Sequence, residues 1–150
     1  MTKVHLDAID RTLIDSVQTN ARLSFAELGR RVSLSPPAVA ERLRRLEEAG
    51  LITGYRAAID PARLGYPITA YIRMRTLHEH FAALDRLFAG APEVLEVHEL
   101  TGEDTLLLKV ACRTIPHLDA FILRLAPYGT TSSTVVVNTR WHRTQLAPAE

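Results

Sequence analysis

The stretch from Leu23 to Gly50, LSFAELGRRVSLSPPAVAERLRRLEEAG, limits what this chain can fold into more than any other. Ser24 followed three residues later by Glu27 is a capping box, in which each side chain satisfies one orphan amide at a helix start. Phe25, Leu28 and Val32 follow at helical spacing and mark the buried side of a short helix. The chain turns through Ser33-Leu34-Ser35, and a second start signal comes at once. Ser35 suits a cap, and Pro36 suits the first helical position, where a missing amide costs nothing. Val39, Leu43 and Leu46 form the apolar stripe of the second helix, and Gly50 is a natural stop. The pattern is a helix-turn-helix.

The face opposite that stripe suggests a use. At about 100° per residue, Pro37, Glu41, Arg44 and Arg45 point away from the apolar side, with Ala38 and Arg42 on the flank. Between Arg22 and Arg45, six arginines (22, 30, 31, 42, 44, 45) stand against two glutamates (27, 41), a surplus of four positive charges. A recognition helix lies in the major groove with its N-terminal residues at base edges, while basic residues nearby neutralise phosphate. Ser35 and Pro36 would open such a helix here. Pro37, Ala38 and Glu41 are the base-edge candidates, and Arg22, Arg42, Arg44 and Arg45 are the candidates for further DNA contact. A solvated arginine face on an ordinary three-helix bundle would have the same sequence.

At 150 residues the chain suits one ordinary domain or two small ones. With a net charge of +1, any nucleic-acid signal must come from local clustering rather than bulk charge. Cys112 is the single cysteine, which rules out an intramolecular disulfide framework and fits a reducing compartment. No signal peptide opens the chain and no apolar run approaches membrane-spanning length, so a cytoplasmic protein with no membrane partner is expected. Six histidines invite a metal reading, but no pair has the helical spacing of a zinc enzyme and there is no C-x-x-C. No glycine-rich phosphate loop or nucleophile elbow is present. Neither a metal nor a cofactor is expected, and Cys112 reads as a small buried apolar side chain.

Leu6, Ile9, Leu13, Ile14 and Val17 follow the helical template, with Asp7 as a cap, and would close the hydrophobic back of the helix-turn-helix. Leu51 to Ile59 looks extended, with a break at Gly54, and reads as the wing or exit strand of a winged helix unit. Residues 1–60 are therefore expected to form one domain, 61–67 a proline-containing linker, and 68–150 a second domain. In that second part the periods run strand, helix, strand, strand, helix, strand. Ile68 to Leu77 alternates; Phe81, Leu84, Leu87 and Phe88 predict a helix ended by Gly90. Val94 to Leu100 and Leu106 to Ala111 predict a strand pair, Ile115 to Leu125 a helix, and Thr134-Val135-Val136-Val137 the beginning of the last strand. This βαββαβ order predicts an α+β chain with a ferredoxin-like second domain. Its helices cover one sheet face, and a second copy of the chain is expected on the other.

These segments together resemble the Lrp/AsnC family of bacterial and archaeal transcription regulators. The resemblance runs through Leu6-Asp7-Ala8-Ile9-Asp10-Arg11, Ala21-Arg22-Leu23-Ser24, Leu34-Ser35-Pro36-Pro37-Ala38-Val39 and Arg42-Leu43-Arg44-Arg45-Leu46-Glu47. It continues through Gly50-Leu51-Ile52-Thr53-Gly54-Tyr55, Val94-Leu95-Glu96-Val97-His98 and Thr101-Gly102-Glu103-Asp104. It implies a winged helix-turn-helix that binds double-stranded DNA, followed by a dimerisation and effector domain. It also implies homodimers that commonly close into octamers, and an amino-acid effector held between subunits. The effector site implied by the resemblance is built around Thr101, Gly102, Glu103, Asp104 and Thr105, with Thr131, Ser133 and Thr134 contributing. Many relatives carry a Tyr-Asp pair after the glycine and acidic residue, where this chain has Asp104-Thr105. A similar two-part architecture is found in siroheme decarboxylases, an enzyme reading for which His78, His80, His98, Arg73 and Arg75 are the candidate side chains. A third reading is an effector-binding module acting on protein partners, without DNA binding.

Overall fold

The structure, a computed structural model, describes residues 5–148. The chain divides into two compact units: one runs to Ala58 and takes in the segment from Trp141 onward, and the other spans Ile59–Arg140.

The first unit holds three helices, α1 (Ala8–Thr19), α2 (Phe25–Val32) and α3 (Pro36–Glu48). Two of them open on reciprocal caps. The Asp10 amide donates to the Asp7 carboxylate at 2.7 Å and the Asp7 amide returns a bond to Asp10 at 3.3 Å. Ser24 and Glu27 do the same at the start of α2, at 3.2 and 2.8 Å. Between α2 and α3 the chain reverses through Ser33, which is left-handed at φ 56°. The Leu34 amide then donates to the Gly29 carbonyl at 3.0 Å. A Cβ on Gly29 would lie 2.4 Å from the Leu34 carbonyl oxygen, so the turn closes this tightly only over glycine. Leu13, Ile14, Leu28, Val39, Leu43 and Leu46 form the core, with Leu6, Ile9, Val17, Val32 and Ile52 packed around it. Phe25 departs from its expected place on the buried side and is half-exposed, because at the first position of α2 it falls beyond the edge of that core.

The expected wing is also corrected. Residues 51–60 form no strand. The Leu51 and Ile52 amides both turn back onto the Leu46 carbonyl, at 3.0 and 3.2 Å. The Tyr55 hydroxyl donates to Glu47 at 2.8 Å, tying the segment to α3. An extended run becomes a strand only when a partner satisfies its backbone groups, and no strand lies among the described residues of this unit. The C-terminal segment instead docks on α1. The Gln18 side-chain amide donates to the Leu146 carbonyl at 3.1 Å and accepts from the Leu146 amide at 2.8 Å.

The second unit has the expected alternation: β1 (Ile68–Thr76), α4 (Phe81–Ala89), β2 (Val94–Glu99), β3 (Leu106–Cys112), α5 (Ile115–Leu125) and β4 (Gly129–Val135). The sheet order is β2-β3-β1-β4, every pair antiparallel, which is the ferredoxin-like arrangement. Ala70, Ile72 and Met74 of β1 and Leu106, Leu108, Val110 and Cys112 of β3 pack with Leu84, Leu118, Phe121 and Leu125 of the helices. Tyr71, Arg73 and Arg75 alternate onto the open face. The last strand begins five residues earlier than Thr134: Gly129 pairs with Thr76, and a Cβ there would lie 2.1 Å from the Arg75 carbonyl oxygen. The strand is therefore built mainly from Thr130 to Thr134, and Val137 is almost fully exposed beyond its end.

Candidate nucleic-acid interface and sensor loop

The helix-turn-helix presents the N-terminus of α3. Ser35 stands at the N-cap position and its carbonyl accepts from the Val39 amide at 3.1 Å, but its side chain makes no capping bond. A capping hydroxyl reaches the amide of the second or third helical residue; the second here is Pro37, which has none, so the Ala38 amide is the one target left. Ser35, Pro36, Pro37 and Glu41 are exposed and Ala38 is half-buried.

The three arginines of α3 are all engaged within the unit. The Arg42 guanidinium donates from Nη1 to Asp7 Oδ2 at 2.7 Å and to Asp10 Oδ1 at 2.8 Å. The Arg45 Nη2 donates to Asp10 Oδ2 at 2.7 Å. Asp10 is fully buried, so both of its oxygens are compensated by α3. Arg44 lies along its own helix between Glu41 and Glu48. The carboxylates of Asp7, and then of Asp10, hold the Arg42 guanidinium still more firmly protonated than usual, and Glu41 does so for Arg44. The surplus of arginine read along the sequence therefore shrinks in space, since Asp7, Asp10 and Glu48 are brought against it. Among the described residues, Arg22 and Arg30 are exposed and make no ion pair, and Arg31 reaches only the Ser16 hydroxyl at 3.4 Å.

In the second unit the loop Thr101 to Thr105 joins β2 to β3. It closes through the Leu100 amide on the Thr105 carbonyl at 2.8 Å, with Gly102 at φ 112°. Arg75 holds it from β1, donating to the Glu103 carbonyl at 3.1 Å and pairing with the Glu103 carboxylate. Thr105 is a pin: its hydroxyl accepts from the Thr76 amide at 3.0 Å and donates to the Met74 carbonyl at 3.1 Å. Among the described residues the half-buried Asp104 carboxylate has no such partner. Thr101 is exposed at the loop's start. Thr131 stands opposite Met74 on the other side of β1, so it shares this end of the sheet with the loop. Ser133 pairs with Ile72 and Thr134 with Tyr71. Pleat alternation puts Thr131 and Ser133 toward the helices and Thr134 on the open face.

Four of the five side chains of the enzyme reading have partners among the described residues, and Arg73 stands exposed on β1 without one. His78 packs at a tilt against Phe81, His80 meets Tyr128 edge-on, His98 bonds Glu96 at 3.1 Å, and Arg75 is held by Glu103. Lys109, and then His98, pull the Glu96 carboxyl below its ordinary range. Among the described residues no group of three or more metal-ligating side chains gathers, and no helix is long and apolar enough to cross a membrane.

Sequence reasoning missed the Asp7–Asp10 partnership with α3 and the need for Gly29. The first left a signal in the paired acids, read only as a cap; the second left none beyond a glycine within a short helix.

A helix-turn-helix followed by a ferredoxin-like α+β domain defines a class of DNA-binding proteins with a second, ligand-binding module. The AsnC-type helix-turn-helix domain matches residues 6–47 and the Lrp/AsnC ligand binding domain matches residues 69–146. The chain belongs to the Lrp/AsnC family of transcription regulators. It is similar to the HTH-type transcriptional regulator LrpC of Bacillus subtilis, 30% identical over 131 residues, covering 87% of this chain and 91% of LrpC. The solved structure of LrpC superposes with a TM-score of 0.87 at 28% identity, over 93% of this chain and 100% of that one. The proline dehydrogenase transcriptional activator of Rhodobacter capsulatus is 41% identical over 113 residues, 73% of each chain. The transcriptional regulator NMB0573 of Neisseria meningitidis, solved as a complex with L-Met, superposes with a TM-score of 0.86 at 29% identity, over 95% of this chain and 96% of that one.

Proposed function

We propose that this regulator binds duplex DNA with the N-terminus of α3 in the major groove, acts as a homodimer or a closed assembly of dimers, and responds to an amino acid. The observation that carries the reading is the exposed start of α3 on a helix-turn-helix with its own buried core. Pro37 is exposed and Ala38 half-exposed there for base-edge contact, and Glu41 would have to release Arg44 to join them. The Ser35 hydroxyl lies beside them without a capping bond. Phosphate neutralisation falls to the exposed Arg22 and Arg30 rather than to the paired arginines of α3. The protein works in the cytoplasm, where its DNA lies, and regulates rather than catalyses.

The loop Thr101 to Thr105 is the proposed effector site. Gly102 lets backbone amides approach a carboxylate closely, and Asp104 supplies an acid for an α-ammonium. Thr131 flanks the same end of the sheet. The complex of the Neisseria relative with L-Met makes methionine the first effector to try.

Fluorescence anisotropy with DNA from upstream of the protein's own gene, against a scrambled duplex, tests the reading. Binding should be tighter to the upstream DNA and fall steeply with salt. Arg22→Ala and Arg30→Ala should each reduce the salt slope by about 1. Added L-methionine should shift the curve for the wild type and not for Asp104→Ala. Absence of binding to any duplex at the lowest salt would end the DNA-binding reading.

A further inference from the structure

We infer that Asp10 is a specificity-determining positioning residue: by engaging Arg42 and Arg45 it keeps two guanidiniums of the recognition helix off the DNA backbone. The inference rests on the DNA-binding reading above and deepens it.

Both oxygens of the buried Asp10 carboxylate are in use. One accepts from Arg42 at 2.8 Å, and the other from Arg45 at 2.7 Å and from the Asp7 amide at 3.3 Å. Asp7 takes the same Arg42 nitrogen at 2.7 Å. Arg42 and Arg45 are three positions apart on α3, so both heads lean toward the start of α1. Moving either guanidinium to a phosphate would leave a buried carboxylate short of a partner, and an uncompensated buried charge is strongly unfavourable.

That arrangement has a consequence for recognition. Phosphate contacts provide nearly all sequence-independent affinity, and each adds about 0.9 to the salt slope. A recognition helix carrying three free arginines would hold any duplex. Here Arg44 is bracketed by Glu41 and Glu48, and Asp10 and Asp7 take the other two. The face left to read DNA is then Pro37 and Ala38 at the start of α3, since both Glu41 oxygens are held by Arg44. The ratio of specific to non-specific affinity rises because the non-specific part is kept low.

The test uses the full chain and a scrambled duplex, so no operator need be known. Asp10→Asn keeps the shape of the side chain and removes its charge. The expected result is tighter binding to the scrambled duplex and a salt slope steeper by about 1 to 2, one phosphate contact for each released guanidinium. Adding Arg45→Gln to that variant should take back about 1 of the gain. An unchanged or shallower slope in a folded Asp10→Asn protein would overturn the inference, since a merely structural acid would weaken binding to every duplex.

Arg45→Gln in the otherwise natural chain is the second variant, independent of whether Asp10→Asn folds. Arg45 is half-exposed and gives a single bond. A sequestered Arg45 predicts no change in slope; a decrease of about 1 would place it on phosphate and overturn the inference. Failure of the natural chain to bind any duplex would refute the DNA-binding reading itself, a result distinct from either slope outcome.

Discussion

Gly29 shows how one residue can decide a motif. The Leu34 carbonyl passes 2.4 Å from where its Cβ would stand. Gly29→Ala forces the turn between α2 and α3 to open, an overpacking cost of about 1–3 kcal/mol. Thermal melts should show a lower midpoint, with DNA binding lost at temperatures where the natural chain still binds. Arg42→Ala should also destabilise, by about 1–3 kcal/mol, since Arg45 and the Asp7 amide remain on Asp10 but one bond to a buried carboxylate is gone. The adjacent acid gives a pH dependence. The Asp10 amide, and then the Arg42 guanidinium, hold the Asp7 carboxyl below its ordinary range. A depressed carboxyl contributes stability that is present above its unfolded pKa of about 3.9 and is lost as pH falls through the lower folded value. Acid titration followed by circular dichroism should show this loss, and Asp7→Asn should remove its share. The Asp7 cap was legible in the sequence, but the bonds from Arg42 and Arg45 to these acids, and the approach of Leu34 to Gly29, were not. Helical periodicity says which face a residue is on, not which residue 32 or 35 positions away will meet it there.

Elements were legible where periodicity and caps agreed. The Ser24–Glu27 box, the Asp7 cap and the apolar stripes of α1 and α3 fall where the sequence places them, because each is a local rule satisfied by local residues. The two misplaced elements fail for one reason: strand propensity is not strand pairing. Val135-Val136-Val137 looks like the heart of a strand, yet β4 ends at Val135, because the register is set where Gly129 can pass close over Arg75. Leu51 to Ile59 has extended character and no partner strand, so it is held by backbone bonds to Leu46 at its start and by a side chain beyond. Tyr55 is its anchor, and burial, with the hydrogen bond to Glu47 behind it, pushes the phenol up to about 12. A raised phenol stabilises the fold fully below its unfolded pKa of about 10. That contribution is lost as pH rises through the folded value. Ultraviolet titration of the natural chain against Tyr55→Phe should reveal one phenol ionising near 12. A difference spectrum centred near pH 10 instead would show that Tyr55 is free of Glu47.

The sensor domain leaves one whole sheet face uncovered by its own helices. Tyr71, Arg73 and Arg75 of β1 lie there, with Leu107 and Lys109 across from Arg73 and Tyr71 on β3 and Glu96 beyond Lys109 on β2. Lys109 bonds Glu96 at 2.8 Å, Glu96 bonds His98, and Arg75 pairs with Glu103 of the adjoining loop, which leaves Arg73 as the exposed charge of β1 without a partner among the described residues. Toward the linker, Ile59, Leu64, Tyr66, Leu95 and Ala111 line an apolar groove of about 300 Å³. A face with apolar centres and most of its charges paired suits a second copy of itself, where each patch meets its own symmetry mate. A dimer also answers what one helix-turn-helix lacks, since two recognition helices reading two half-sites gain by linkage what neither has alone. Leu107 is the residue to change: it is half-buried at the centre of that face and makes no contribution to the helix-side core. Sedimentation equilibrium of the natural chain should give a multiple of 16.7 kDa, and Leu107→Glu should bring it down to a single chain. The same variant should keep its helical circular dichroism and lose at least about 10²-fold in DNA affinity through lost linkage. An unchanged mass would move the contact surface off the sheet, and an unchanged affinity in a true monomer would mean that a single α3 is enough.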